Sequence, residues 1–331
     1  MARPAAPLTG PPAARAAPGL YLAGRMLYFR AALLPVSVPV SAASEPTMPG
    51  DPAPARLRLR DETDAPAAPE AHHLDLLAGP ARLTLAVADV ERRKVLVLED
   101  HDLPTGGLPA LAATHDFLAR RGWNEVRLAV TGRAFTLLPA LLFRPGDEPA
   151  ALRLHHTVRP TETVCHLPHP ALEMVSIFAA DTALTAWLAD TPGPAGRLLH
   201  HTSALLAGLG QQREAGVPRR LYLNLNATEL TLVVLGPQLE YCNVFAYTTA
   251  EDVLYFTILV MQEMALNPDD DHVTVWGELT HDSAIFDLLR TYLRHVRLGQ
   301  RPFGLQYSYR FADVFEHRYF DLLSLHFLAD G

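Results

Sequence analysis

Cys165, His166 and His169 set a thiol and two imidazoles a few positions apart, a spacing that zinc chemistry can use. A structural zinc site takes four such ligands, normally as two spaced pairs. No second pair follows, and Pro168 and Pro170 predict a loop there. The doublets His72-His73, His155-His156 and His200-His201 are no better placed, because neighbouring residues of a strand point to opposite faces. Asp269-Asp270-Asp271-His272 lacks the spaced oxygens and the glycine of a calcium loop and reads as a solvated connection between elements. No metal residue is assigned. Gly-x-Ser-x-Gly does not occur, and Ser176 and Ser203 lie in apolar contexts, so serine-hydrolase chemistry has no support. Lys94 is the one lysine of the chain and has no glycine loop before it. P-loop, Schiff-base and lysine-dependent kinase mechanisms are therefore excluded.

Composition narrows the classes further. A length of 331 residues with 49% hydrophobic content suits two soluble domains with their own cores. A net charge of -8 argues against a nucleic-acid binder, which must neutralise phosphates with Lys and Arg. Arg92-Arg93-Lys94 and Arg219-Arg220 are too short to count as basic patches. The two cysteines, Cys165 and Cys242, suit reduced, buried thiols in a cytoplasmic protein. Outside residues 1–57 no apolar run reaches the ~18 residues a membrane span needs. Residues 1–57 are rich in Ala, Pro and Gly and are expected to be disordered. Within them, 26–43 loosely resembles a signal peptide interrupted by Pro35 and Pro39. A translation start at Met48 is the alternative.

The elements that would position a site are read as a repeat. Arg82-Leu83-Thr84-Leu85-Ala86-Val87-Ala88-Asp89 is echoed by Arg220-Leu221-Tyr222-Leu223-Asn224-Leu225-Asn226-Ala227, and each run turns into a second apolar run. That is a β-hairpin signature, present twice. Helical spacing follows at 108–121 and 250–265, then strands ending at Gly132 and Gly277. Thr249 can cap the second helix, and Asp181 or Thr182 a helix through Trp187. Further strands are expected at 173–179 and 239–247, and helices at 203–214 and 283–295. The aromatics Tyr307, Tyr309, Phe311, Phe315, Tyr319 and Phe320 are assigned to core.

Four segments resemble the bacterial family catalogued as domain of unknown function 3822. They are Leu85 to Asp89 with Lys94, Leu98 and Glu99; Phe135-Thr136-Leu137-Leu138-Pro139 with Leu142-Phe143; Asn243-Val244-Phe245-Ala246-Tyr247 with Asp252 and Tyr255; and Trp276-Gly277-Glu278. The resemblance spans about residues 58–328 and implies an α/β protein of the actin-like ATPase superfold. Two duplicated ribonuclease H-like lobes would each carry a mixed sheet flanked by helices, at 58–215 and 216–331.

Active members of that superfold hold phosphates on two hairpin turns and a purine on a glycine-bearing strand-to-helix turn. The resemblance maps these onto Asp89, onto Asn226 and Thr228, and onto Gly277 and Glu278. The first turn, Asp89-Val90-Glu91-Arg92, keeps an Asp but adds a carboxylate that repels phosphate. The second, Asn226-Ala227-Thr228-Glu229, has neither Asp nor Gly. Structural alternatives stand beside each: Asp89 as a turn residue satisfying local N–H groups, and Gly277 as a tight turn rather than a ligand approach. Asn226-Ala227-Thr228 also fits a glycosylation sequon, an accidental match in a cytoplasmic hairpin.

The expected function is a scaffold or interaction protein that has lost ATP hydrolysis, with an unidentified protein partner and no catalytic residue. The alternative is a nucleotide binder taking ATP with magnesium between the lobes. A metal-dependent nuclease using Asp89 and Asp181 is a third reading, for which no third carboxylate is evident.

Overall fold

The structure, a computed structural model, describes residues 55–62, 68–191, 196–212 and 219–328. All lie in the compact unit Ala43–Gly331. The signal-like stretch, the Met48 start and the boundary at 216 fall outside the described residues.

Along the chain come β1 (Leu57–Arg60), β2 (His72–Ala78), β3 (Arg82–Asp89), β4 (Lys94–Asp102), α1 (Gly107–Ala112), β5 (Glu125–Val130), β6 (Phe135–Pro139) and α2 (Glu148–Arg153). Then follow β7 (Glu162–His169), β8 (Met174–Asp181), α3 (Thr182–Asp190), β9 (Gly196–His200), α4 (His201–Gln211), β10 (Arg220–Leu225), β11 (Glu229–Leu235) and β12 (Leu239–Ala246). The last are α5 (Ala250–Glu263), β13 (His272–Gly277), α6 (Ala284–Tyr292), β14 (His295–Leu298), β15 (Gln306–Tyr307) and α7 (Phe320–Ser324).

Two large sheets share one topology. The first runs β1-β4-β3-β2-β5-β9, with β15 joined to β4, and the second runs β12-β11-β10-β13-β14. In each, three consecutive antiparallel strands, β2-β3-β4 and β10-β11-β12, lead through a crossing helix to two parallel ones, and in the first sheet β1 adds a fourth antiparallel strand at the edge. β2 therefore matches β10, and β3 matches β11. The repeat expected from sequence paired Arg82 with Arg220 and is out of step by one strand. β2 carries no sequence signal because it is central and buried on both faces, so it shows no alternation, and His72, His73 and Asp75 break its apolar run.

Five layers result. Leu74, Leu76, Leu85 and Val97 of the first sheet pack against Leu108, Leu111, Phe117 and Trp123. The sheet's other face, with Ala86, Leu98, Ala129 and Leu199, receives Ala204 of α4 together with Phe311, Leu322 and Leu325. Leu205, Leu206 and Leu209 of α4 also cover the second sheet at Tyr222, Val233 and Trp276. Beyond that sheet lie Val253 and Val260 of α5 and Phe286 and Leu289 of α6. Between the large sheets α4 and α7 cross so closely that a Cβ on Gly208 would lie 2.0 Å from Ser324 Oγ. Only a glycine lets the two helices meet there.

Several expectations change. Residues 306–328, expected to close a second lobe at 216–331, touch both sheets: β15 pairs with β4 and Phe311 and Leu325 join the first sheet's core, while Phe320 packs on Tyr222 and Trp276 of the second. The helix expected at 108–121 stops at Ala112, and Phe117 and Trp123 enter the core from the turns beyond it. Cys165, His166 and His169 lie on β7, an edge strand of the three-stranded sheet β6-β8-β7, where Pro168 costs no ladder partner. Residue 295 opens β14 instead of ending a helix. Asp181 and Thr249 cap α3 and α5, the latter through a capping box with Asp252. Of the C-terminal aromatics, Phe311 and Phe320 are buried but Tyr309 and Phe315 are exposed. Among the described residues no helix is long and apolar enough to cross a membrane.

Candidate functional site

The parallel strands of both large sheets end toward a common junction, and Arg82 forms an ion pair across it. As the first residue of β3 it points to the same face as Asp100 of β4. Its Nε donates to Asp100 Oδ1 at 2.8 Å, and a second guanidinium nitrogen pairs with Asp100 Oδ2. The remaining nitrogen pairs with Glu278, the residue just past β13 of the other sheet. The Tyr319 hydroxyl donates to Asp100 Oδ2 at 3.1 Å. Asp100 is 1% exposed, so its charge is held in a dry environment by these partners. The hydrogen bond Arg82 donates to Asp100 raises the Arg82 pKa further, and burial raises that of Tyr319. With Arg56, Leu57 and Arg318 the same groups line a cavity of about 380 Å³.

The other residues singled out in the sequence divide between this end of the molecule and the opposite one. Gly277 ends β13 at φ +114, where a Cβ would lie 1.9 Å from Leu225 O. Its N–H donates to His317 O at 2.8 Å, and the Glu278 N–H donates to Leu225 O at 3.0 Å. A backbone approach to β10 is thus reason enough for glycine. Asn226 and Thr228 form the β10–β11 turn at the same end. Asn226 Oδ1 accepts from the N–H groups of Thr228 at 3.0 Å and Glu229 at 2.8 Å. Those N–H groups, the ones an anion would use, are taken up by the Asn226 side chain. Burial raises the Glu229 pKa, and Arg133 opposes that shift from the turn after β5.

Asp89 does not join them. It ends β3, seven residues from Arg82, about 23 Å along an extended strand. Its Oδ1 accepts from the Arg92 N–H at 2.8 Å and closes the β3–β4 turn. The turn that matches Asn226-Ala227-Thr228 in the first sheet is Gly79-Pro80-Ala81, between β2 and β3. Asp181 spends its carboxylate on the Ala183 N–H at the start of α3, in another sheet, so no carboxylate pair forms with Asp89. Cys165, His166 and His169 go to Thr163 O, Glu148 and Ser176 respectively and do not converge.

The chain's own C-terminal stretch floors the junction. Asp321 Oδ2 accepts from Asn224 Nδ2 of β10 at 3.1 Å and lies 3.9 Å from His201 Nδ1 at the start of α4. Burial raises the Asp321 pKa. Phe320 stacks on Trp276 with ring centroids 4.4 Å apart. Sequence reasoning missed Arg82, Asp100, Tyr319 and Asp321. The available signal was Glu99-Asp100-His101-Asp102, a polar run that continues the apolar strand 95–98 and stays largely buried.

The family model "Protein of unknown function (DUF3822)" matches residues 61–296. The chain belongs to that family. No curated protein matches it in sequence. Among solved structures, a Bacteroides thetaiotaomicron protein with an actin-like ATPase fold and unknown function superposes at TM-score 0.65 with 16% identity, covering 78% of this chain and 96% of that one. The PilM-PilN type IV pilus biogenesis complex matches at TM-score 0.51 and 16% identity, covering 78% of this chain and 98% of that one. This DUF3822 member thus has the actin-like ATPase fold, with mixed sheets flanked by helices.

Proposed function

We propose that this DUF3822 protein is a cytoplasmic scaffold that binds a protein partner and does not hydrolyse ATP. The observation that carries the reading is the Arg82 bridge between Asp100 and Glu278. In an actin-like ATPase the junction of the lobes offers carboxylates to a metal and N–H groups to phosphates. In this chain the carboxylates are neutralised by Arg82 and the turn N–H groups by Asn226, so the two sheets are held together by the chain itself. A net charge of -8 supports a protein partner over nucleic acid. The PilM structure, solved with PilN, offers a precedent for partner binding on this fold. We assign the partner to the face around the three-stranded sheet, where Leu141, Leu142 and Leu154 are 95%, 56% and 71% exposed.

The second reading, a nucleotide binder, is favoured by one feature: Arg56 and Arg318 line the junction cavity beside Arg82. It would place phosphate against those arginines rather than near Asp89. Phosphate release from ATP by the full chain with magnesium separates an ATPase from a scaffold. The scaffold reading expects none above the buffer rate, and turnover lost in Glu278→Gln would overturn it.

A further inference from the structure

On the opposite face of β4 from Asp100, three potential ligands converge. Glu99 and His101 are two residues apart on the strand and therefore share a face. The chain then passes through α1 and returns to place His115 against them. His101 Nε2 and His115 Nε2 each lie 2.8 Å from the same carboxylate oxygen, Glu99 Oε2. The two rings meet edge to face with centroids 4.9 Å apart. Glu99, His101 and His115 are 0%, 3% and 5% exposed, and their ligand atoms all lie within 4.8 Å of one another.

We propose that Glu99, His101 and His115 form a binding site for a divalent transition metal of the zinc class. Two imidazole nitrogens and one carboxylate oxygen are a donor set that suits zinc and cobalt, and three protein ligands leave a fourth position for water. The carboxylate is held as a metal-ligating carboxylate must be, by hydrogen bonding to the oxygen that the site does not use. Arg60 Nε donates to the other Glu99 oxygen at 2.5 Å and orients the carboxylate, with Arg58 Nε 3.6 Å from that same oxygen. The Arg60 charge is balanced by a fork onto Asp116, at 2.8 and 2.9 Å. Binding through Nε2 would put the His115 proton on Nδ1, which now accepts from the Leu118 N–H at 3.4 Å, so metal uptake must release that contact; Asp116 Oδ1 stands 3.6 Å from the same nitrogen. The rival is a cluster that is complete without metal, in which both rings donate Nε2–H to Glu99. A metal would tie the 113–121 turns to β4, the strand whose other face presents Asp100 to Arg82.

The test is titration of the chelator-treated full chain with Zn²⁺ by calorimetry, with Co²⁺ followed by visible absorption. The site expects one equivalent per chain and a Co²⁺ spectrum of mixed nitrogen and oxygen coordination. His101→Ala and His115→Ala should lose that equivalent, and Asp116→Ala should bind about 10-fold more weakly. His272→Ala, which removes one of a stacked surface pair with His295, should change nothing. Because the alanine variants could unfold, His115→Gln is measured alongside by its altered Co²⁺ spectrum at unchanged circular dichroism. Failure of the wild-type chain to take up either metal, or uptake that survives His101→Ala and His115→Ala, would overturn the proposal.

Discussion

Arg82 and Glu278 stand 196 positions apart in the chain, and their ion pair joins the first large sheet to the second. Arg82 also neutralises Asp100, which is buried, so its two partners do not count equally. Removing one member of a buried pair leaves an unpaired charge, at a cost of about 3–5 kcal/mol. A pair with a partly exposed partner contributes about 0–1 kcal/mol. Arg82→Ala should therefore destabilise far more than Glu278→Gln in urea denaturation. Equal effects would show that Asp100 does not depend on Arg82.

Gly277→Ala should cost about 2–3 kcal/mol, because its φ of +114 is strained for any other residue and its Cβ would collide with Leu225 O. The loss should be the same with and without ATP and magnesium in thermal melts. A loss that appears only with nucleotide would make Gly277 a ligand contact.

Asp75 gives a pH dependence with a definite sign. Burial, resisted by Arg127 and reinforced by Glu125, raises its pKa to about 7. In the unfolded chain it titrates at about 3.9. Between those values the folded state holds the extra proton, so this group's contribution to stability falls as pH rises from about 4 to about 7. Asp75→Asn removes that loss, and its melting temperature should gain on wild type steadily across that window. His169 and His201, lowered by burial to about 4, act in the opposite sense and weaken the fold as pH drops below about 6.5. Melting curves of both proteins from pH 4 to 8 check this. A constant offset between them would contradict it.

Thr249→Ala should cost about 1 kcal/mol, since it breaks the capping box in which Thr249 Oγ1 accepts from Asp252 N at 3.2 Å and Asp252 Oδ2 from Thr249 N at 3.0 Å. Chemical denaturation reads this directly, and no change would mean the first turn of α5 is held by packing alone.

The strands legible in the sequence were those with alternation or dense apolar residues, such as β3, β10, β11 and β13, and the caps at Asp181 and Thr249 were legible from their chemistry. β2 was not, because a strand buried on both faces and opened by two histidines has no period to read. That one omission moved the first hairpin by a strand and carried Asp89 to the wrong end of the sheet. The junction residues were hidden for another reason. Arg82 and Glu278 meet only after both sheets have formed, and nothing local marks an arginine at the start of a strand as a bridge. Gly277 was legible as a special glycine, but only the register Leu225–Gly277 between β10 and β13 supplies its cause.

The central claim, that the chain's own side chains hold the junction where an actin-like ATPase would hold nucleotide, is tested most directly by a thermal-shift titration. The full chain would be melted with ATP, ADP and GTP up to millimolar concentration, with and without magnesium. The account expects no shift with any of them. A melting temperature that climbs with ligand concentration, as mass action requires of anything bound to the folded state, would contradict it.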